Sequence, residues 1–201
     1  MMRHAKIQLS PAEQHLITNA DVLLTKNRVL GKIKGLLEQV QEQMMGYAET
    51  FSKTHVFQIS PKISRGENYL GLPYLILDYP RVFQQEHILA IRSFFWWGHL
   101  FSSTLHLSGS HKETFLQKLE TAFSAFSKHH IGINTDPWQH HFGSDNYQPI
   151  ADMRYGDFEK IVQRQAHVKI AIQLPVAEWE QANLFLIENW KLYLNVFLST
   201  V

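Results

Sequence analysis

The chain has 201 residues, of which 45% are hydrophobic and 18% charged, and this balance is typical of a globular domain rather than a disordered segment. Its formal net charge of +1 provides no strong field to attract nucleic acid or an anionic membrane. The absence of cysteine excludes disulfides, thiolate nucleophiles and cysteine-ligated zinc. The length predicts one domain over residues 1–201, with a helical N-terminal segment over 1–52 and a sheet with helices over 53–201.

Neither end of the chain has the pattern of a targeting or membrane segment. The first residues, MMRHAK, are not followed by the apolar run that a secretory signal needs. The most apolar stretch, from Leu184 to Val201, is interrupted by Glu188 and Lys191 and is a poor membrane span. We therefore expect no membrane association and, by elimination, a cytoplasmic location.

A capping-box pattern opens the first predicted helix. The side chain of Ser10 can accept from the backbone N–H of Glu13, the side chain of Glu13 can reach back, and Pro11 lies where a helix needs no N–H. Apolar residues at three- and four-residue steps then continue to Phe51. The pattern fits either two helices that separate near residues 25–27 or one long kinked helix.

Two strands are predicted in the next segment. Residues 55–59 alternate in polarity and predict a short strand, and residues 60–71 form a polar connection. Leu72–Tyr79 is apolar on both parities, which predicts a strand that is covered on both faces. Pro80 is expected to end that strand, since proline cannot donate to a strand ladder.

A hairpin is predicted over Ile88–Ser108. This stretch is too long for one ordinary strand of ~5–6 residues, and Gly98 is its natural break. A two-residue turn at Gly98 and His99 would have glycine at the first central position of a type II′ turn. The competing interpretation is a single bent strand with a bulge at Gly98.

The two-residue turn fixes a register for the hairpin. It pairs Trp97 with Leu100 and Arg92 with Leu105. Since side chains alternate along a strand, Arg92 and His106 are then predicted on opposite faces of the sheet.

A second capping-box pattern, Ser110 to Glu113, precedes the clearest amphipathic helix pattern in the chain. We expect a helix over Lys112–Lys128 that packs four residues inward. These are Phe115, Leu119, Phe123 and Phe126.

The C-terminal third begins with an unusually long polar loop, residues 132–152, in which a strand over 138–142 is predicted. Loops of this length inside a compact domain are uncommon and often functional. A short helix capped by Asp157 follows. Val168–Leu174 then alternates in polarity, which predicts a strand with one buried face and with Lys169 on the open face.

The final predicted helix runs from Val176 towards Val201 and has more apolar positions than one buried stripe needs. Its main stripe comprises Trp179, Ala182, Leu186, Trp190, Tyr193 and Phe197. The second stripe contains Leu184, Leu192 and Val196. An exposed apolar stripe favours self-association, and we expect a homo-oligomer that forms through this helix.

Histidine and carboxylate residues in the long loop are candidate metal ligands. His140 and His141 lie near Asp136 and Asp145 in the sequence, and imidazole with carboxylate is a ligand set for zinc or iron. No cofactor is strongly implied, but a divalent metal is consistent with these residue types. Their spacing matches no zinc motif, and adjacent residues rarely bind one ion together.

Arg92 is a second candidate, because its neighbours in the predicted strand are apolar. A charged residue in that setting is normally paired or faces a site. An ion pair with Asp78 is the favoured explanation, and a bidentate grip on an anionic ligand is the other. We expect any ligand site where the long loop meets the hairpin, formed by Arg92, His140, His141 and Asp145.

The sequence contains no dinucleotide-binding, phosphate-loop or nucleophile-elbow motif. The aromatic run Phe94–Trp97 has only Arg92 as a basic neighbour, so it predicts core packing rather than a nucleic-acid platform.

The predicted fold is α+β, with a mostly antiparallel sheet of five or six strands packed against N-terminal, central and C-terminal helices. The predicted function is a ligand-binding or protein-interaction module whose small-molecule ligand the sequence does not identify. The alternative is a metal-assisted hydrolase that uses the His140–His141 loop.

Overall fold

The computed structural model describes residues 8–51 and 55–198. It contains a seven-stranded antiparallel sheet in the order β1-β2-β3-β4-β7-β5-β6. The strands are β1 (Lys62–Tyr69), β2 (Leu72–Gln84), β3 (His87–Trp96), β4 (Leu100–Ser108), β5 (His130–Gly132), β6 (Tyr147–Pro149) and β7 (His167–Pro175). The α-helices are α1 (Pro11–Thr18), α2 (Ala20–Ala48), α3 (Gly109–Thr121), α4 (Tyr155–Arg164) and α5 (Ala182–Leu198). The α+β class is confirmed, and the sheet has seven strands where the sequence predicts five or six.

The sheet has two differently covered faces. The large hydrophobic core lies on the face covered by the helices, here called the helix face, and draws residues from α2, α5 and the central strands. The opposite face, here called the loop face, carries a smaller cluster of Ile76, Phe94, Trp96 and Leu100 with Phe142 against it. Phe94, Phe95 and Trp96 are buried, so the predicted core role of the aromatic run is confirmed.

β3 and β4 form the predicted hairpin, but their turn has three residues rather than two. Trp96 pairs with Leu100, and residues 97–99 form the connection. The N–H of His99 donates to the carbonyl of Trp96 at 3.1 Å, and Gly98 has a φ of 75°. A type II turn needs positive φ at its third residue, which glycine adopts without strain.

The longer turn moves the pairing of β3 and β4 by one residue. Arg92 is opposite Thr104 rather than Leu105. A one-residue shift transfers every side chain of a strand to the other face. The predicted separation of Arg92 and His106 is therefore wrong, and both lie on the loop face.

Over residues 55–69 the strand and the connection lie in the opposite order to the one predicted. The strand expected over 55–59 is a 3-10 helix at His55–Phe57, and the expected polar connection contains β1. β1 is an outer strand that pairs only with β2 among the described residues. Outer strands carry charged and polar side chains because one of their edges faces water, and that composition concealed the strand.

β2 also extends further than predicted, because it continues past Pro80 to Gln84. The pairing of β2 with β3 is irregular between Asp78 and Arg81. Proline is tolerated at such an irregularity, since no ladder hydrogen bond is lost there.

The N-terminal capping box is confirmed. The N–H of Ser10 donates to the carboxylate of Glu13 at 2.7 Å, and the N–H of Glu13 donates to the hydroxyl of Ser10 at 3.3 Å. The break between the helices lies at Asn19 rather than at residues 25–27, so α2 runs without interruption for 29 residues. α1 has no buried residue, and the first buried residue of α2 is Leu30.

The central helix begins and ends earlier than predicted, as Gly109–Thr121. The capping box predicted at Ser110 is wrong, because Ser108 is the N-cap residue and the hydroxyl of Ser108 accepts from the N–H of Ile88 at 3.0 Å. Leu119 and Phe126 are buried, whereas Phe115 and Phe123 are only partly buried.

The last strand is confirmed, and a 3-10 helix at Val176–Gln181 separates it from α5. Four residues of the predicted main stripe are fully buried, namely Ala182, Leu186, Trp190 and Tyr193. The side chain of Phe197 lies outside the described part of the chain. In the second stripe, Leu192 and Val196 pack partly against the core, and Leu184 is 60% exposed. Self-association through α5 stays a prediction. No helix in the described ranges is both long and apolar enough to span a membrane.

Candidate functional site

A cluster of polar side chains lies on the loop face, in the middle of the sheet. Asp78, Arg92 and Thr104 lie opposite one another on β2, β3 and β4. His106 and Lys169 face each other on β4 and β7, two residues further along β4. These five residues are here called the polar cluster. Four of them are buried, and the side chain of Arg92 is 13% exposed.

The polar cluster is covered by residues 133–146, here called the covering loop. The N–H of Ile133 donates to the carbonyl of Asn146 at 2.8 Å, so the ends of the loop meet. A compact loop of this length with closed ends is an Ω-loop, a type that is frequently functional. The hydroxyl of Tyr69 accepts from the backbone N–H groups of residues 140–141 at 2.7 and 2.9 Å, which fixes the loop over the sheet.

Arg92 forms the ion pair predicted from the sequence. Its Nε and Nη2 donate to the two carboxylate oxygens of Asp78 at 2.8 and 2.9 Å. Its Nη1 donates to Nε2 of His140 at 3.1 Å, so the structure brings two of the predicted site residues together. Burial, and then the charge of Arg92, hold the pKa of His140 well below its usual value. The rings of Trp138 and Phe83 lie 5.8 and 6.0 Å from the guanidinium carbon.

Lys169 is the most unusual member of the polar cluster, because it is a lysine with only 2% of its surface exposed. Its Nζ donates to the carbonyl of Gln139 and lies 5.1 Å from the ring centre of Tyr147. Burial, and then the charge of Arg92, lower the pKa of Lys169 to about 7, although Asp136 opposes the shift. The prediction that Lys169 lies on an open face of the sheet is wrong, because the covering loop lies over that face.

His106 is buried beside Lys169, and its Nε2 has no hydrogen-bond partner among the described residues. Burial, and then the charges of Lys169 and His167, lower the pKa of His106 to about 3. The ring of Trp138 meets the imidazole edge to face at 5.7 Å. A buried nitrogen without a partner costs free energy, so its presence needs an explanation.

His106 lines two cavities. A cleft of about 390 Å³ opens beside the covering loop, and a space of about 10 Å³ lies within the polar cluster. The cleft is lined by Gln85, Glu86, Ile88, His106, Ser108, Gly109, Thr135, Pro137, Trp138, Ala166 and His167. Ser108 and Gly109 begin α3, so the positive end of the helix dipole lies at the cleft.

The other predicted site residues organise the covering loop rather than the cleft. The carboxylate of Asp136 accepts from the N–H of Trp138 at 2.9 Å and from the side chain of Gln139 at 2.7 Å. His141 lies 3.9 Å from Asp145, whose side chain is 75% exposed. Neither His141 nor Asp145 lines either of the two cavities.

The metal-ligand set predicted in this loop does not converge. Nowhere in residues 8–51 and 55–198 do three or more histidine, aspartate or glutamate side chains come close enough to hold a metal ion. His140 faces Arg92 through Nε2, and Asp136 is engaged by the loop backbone. The geometry therefore does not support the predicted metal site.

Comparison with protein-family models, with curated proteins and with solved structures finds no match to this chain. The chemistry of the polar cluster and its cleft is therefore the basis on which a function is inferred.

Acid is expected to destabilise the fold below about pH 6.5, because buried histidines are held neutral. The pKa values of His106 and His129 are lowered to about 3 and about 4. The pKa of His140 is lowered well below its ordinary value. The unfolded chain takes up protons at these positions while the folded chain does not, so stability falls as the pH falls. Up to three protons give a slope of at most about 4 kcal/mol per pH unit.

Urea denaturation between pH 4.5 and 7.5 measures this slope. The variant His106→Gln should reduce this slope by the contribution of about one proton. A free energy of unfolding that is constant from pH 5 to pH 6.5 would contradict the assignment of neutral buried histidines.

Proposed function

We propose that this chain is a ligand-binding protein whose cleft takes a small molecule with a carboxylate or phosphate group. The observation that carries the proposal is the imbalance of charge beneath the covering loop. The polar cluster contains two basic side chains, Arg92 and Lys169, and the unpartnered His106, but only one carboxylate, Asp78. Arg92 satisfies that carboxylate with two hydrogen bonds.

An anion would supply the negative charge that Lys169 lacks beside its ammonium group. A buried ammonium group without a carboxylate is unfavourable, because water no longer solvates its charge. Of the three donors on a lysine ammonium, one is used by the carbonyl of Gln139. An anion near Lys169 would favour its charged form and would restore its pKa towards the ordinary value.

The cleft is where such an anion would approach the polar cluster, because His106 belongs to the polar cluster and lines the cleft. His106 lines both the cleft and the inner space, and a neutral His106 with its proton on Nε2 would donate to an anion from that free nitrogen. The first turn of α3 adds the favourable field of a helix N-terminus. Trp138 provides an apolar wall, as ligand clefts commonly have.

The role of Arg92 differs from the anion grip considered from the sequence. Its guanidinium is already engaged by Asp78 and by His140. Arg92 therefore contributes a fixed positive charge, and Lys169 and His106 are the groups available to a ligand. Metal-assisted hydrolysis stays an alternative without geometric support.

Inorganic phosphate and acetate are expected to raise the melting temperature of the wild-type protein when ionic strength is held constant with chloride. A ligand that binds only the folded state must stabilise it. The shift should grow as the pH falls through 7, because Lys169 gains its proton there. Thermal denaturation at several ligand concentrations and pH values measures it.

Two variants test the site. Lys169→Met and His106→Gln should remove the shift, whereas Arg65→Ala, which removes an exposed cation on the outer strand, should keep it. An equal shift in all four proteins would mean nonspecific anion binding. No shift in the wild type with either anion would also contradict the proposal.

A further inference from the structure

The first part of the helical region lies almost wholly in solvent. Residues 8–28, here called the N-terminal arm, include α1 and the first nine residues of α2, and none of them is buried. The arm nevertheless presents six large apolar side chains that are 47% to 73% exposed. They are Leu9, Leu16, Ile17, Val22, Leu23 and Leu24.

This exposure conflicts with the physical chemistry of helices. Isolated helices shorter than ~12–15 residues are marginal in water, and α1 has 8 residues and no buried side chain. A contiguous apolar surface on a helix that lacks tertiary cover marks a contact with another molecule. The arm therefore needs a partner, and its charges indicate which one.

The charges of the arm and of the residues after it are separated along the chain. The acidic residues Glu13 and Asp21 come first, and the basic residues follow, as Lys26, Arg28, Lys32 and Lys34. Arg28 donates to the hydroxyl of Thr25, and no carboxylate in the described ranges pairs with it. A second copy that runs antiparallel brings the acidic half of each arm against the basic half of the other, whereas a parallel copy would oppose like charges.

We propose that the N-terminal arm is a self-association surface on which the arm of a second copy packs antiparallel. With Leu24 at the centre, the two-fold arrangement places Asp21 opposite Arg28 of the second copy, while Lys26 is already paired with Glu67 of its own chain at 2.7 Å. Such a contact is closed, because each copy uses the same surface.

Two glycines on α2 provide an independent test of this arrangement. Gly31 and Gly35 are four residues apart, and a Cβ added at either one would meet nothing within 4 Å. Glycine costs about 1 kcal/mol relative to alanine within a helix, so packing within the chain does not explain either residue. In the antiparallel arrangement α1 of the second copy lies along this part of α2, where a missing Cβ permits close approach.

Sedimentation equilibrium of the full chain tests the proposal. The wild type should form dimers in the micromolar range. Leu24→Asp should weaken association by roughly tenfold or more, as for a central apolar interface residue. The matched control Leu184→Asp, at an exposed leucine of α5, should leave the dimer unchanged, and circular dichroism should show both variants folded.

Charge exchange and glycine replacement test the arrangement itself. Asp21→Lys should weaken the dimer, and Arg28→Glu in the same chain should restore it, since each exchanged charge then meets its opposite on the other copy. Gly31→Ala with Gly35→Ala should weaken association without lowering the melting temperature of the monomer. A wild type that is monomeric at high micromolar concentration overturns the proposal. So does a dimer that Leu184→Asp dissociates and Leu24→Asp does not, which would place the interface on α5.

Discussion

Replacing Trp190 with alanine is expected to lower the free energy of unfolding by about 3–5 kcal/mol. Trp190 is fully buried where α5 crosses the helix face of the sheet. Its indole stacks on Tyr79 at 6.1 Å and meets the edge of Tyr47 at 5.8 Å. Its Nε1 donates to the carbonyl of Tyr79 at 2.6 Å. The substitution therefore leaves both a cavity and an unpaired buried carbonyl.

Two further variants separate these contributions. Trp190→Phe keeps most of the volume and removes the donor, so its effect should be smaller and close to the ~1–3 kcal/mol of an unsatisfied buried acceptor. Leu184→Ala on the same helix is the matched control, and it should change stability by less than about 0.5 kcal/mol because Leu184 is exposed. Urea denaturation measures all three. A loss below 1 kcal/mol for Trp190→Ala would mean that α5 does not pack as described.

The parts of the fold that the sequence predicts are those with strong apolar periodicity. The stripe of α5 and the alternation of β7 emerge directly from the spacing of residues such as Leu186 and Ile170. β1 was missed because its sequence is polar, as is common for an outer strand, and among the described residues it pairs only with β2. The extent of β2 was missed because Pro80 ends most strands but is accommodated where the pairing is irregular.

The site was predicted less well than the fold, for two physical reasons. A turn longer by one residue puts Arg92 and His106 on the same face of the sheet, and the pattern at Gly98 is compatible with turns of two and of three residues. The burial of Lys169 depends on the covering loop, which is distant in sequence, so a strand with one polar face gave no sign of it. The polar spacing in Val168–Leu174 indicated an open face. The only feature of the sequence that indicated a cover over that face was the length of the loop at residues 132–152.

Lys169 connects the stability of the fold with the proposed function. Its charged form is disfavoured by burial and by Arg92, so the folded protein carries a cost that an apolar residue would avoid. Sites that bind or react are where such unfavourable groups are retained. The most stabilising substitution at position 169 is therefore expected to be one that cannot bind an anion.

Lys169→Met is therefore expected to stabilise the protein at pH 6 and to lose anion binding. Lysine in the unfolded chain keeps its ordinary pKa of 10.5, whereas the folded pKa is about 7. Between these values the unfolded state binds the additional proton, so the contribution of Lys169 to wild-type stability rises with pH from about 7 to about 10.5 and is lowest below 7. The difference corresponds to at most about 5 kcal/mol, offset by ~1–3 kcal/mol because the carbonyl of Gln139 loses its donor. We expect a net gain of about 2 kcal/mol at pH 6.

Urea denaturation from pH 6 to pH 10.5 measures this difference, which should shrink and then vanish or reverse as the pH rises. Lys32→Met, at an exposed position of α2, is the matched control and should keep the wild-type pH dependence. If Lys169→Met also keeps that pH dependence, Lys169 is not held in a low-pKa state and the electrostatic reason for an anion beneath the covering loop fails. If the variant is stabilised at pH 6 but still responds to phosphate as the wild type does, Lys169 is buried as described and the ligand binds elsewhere.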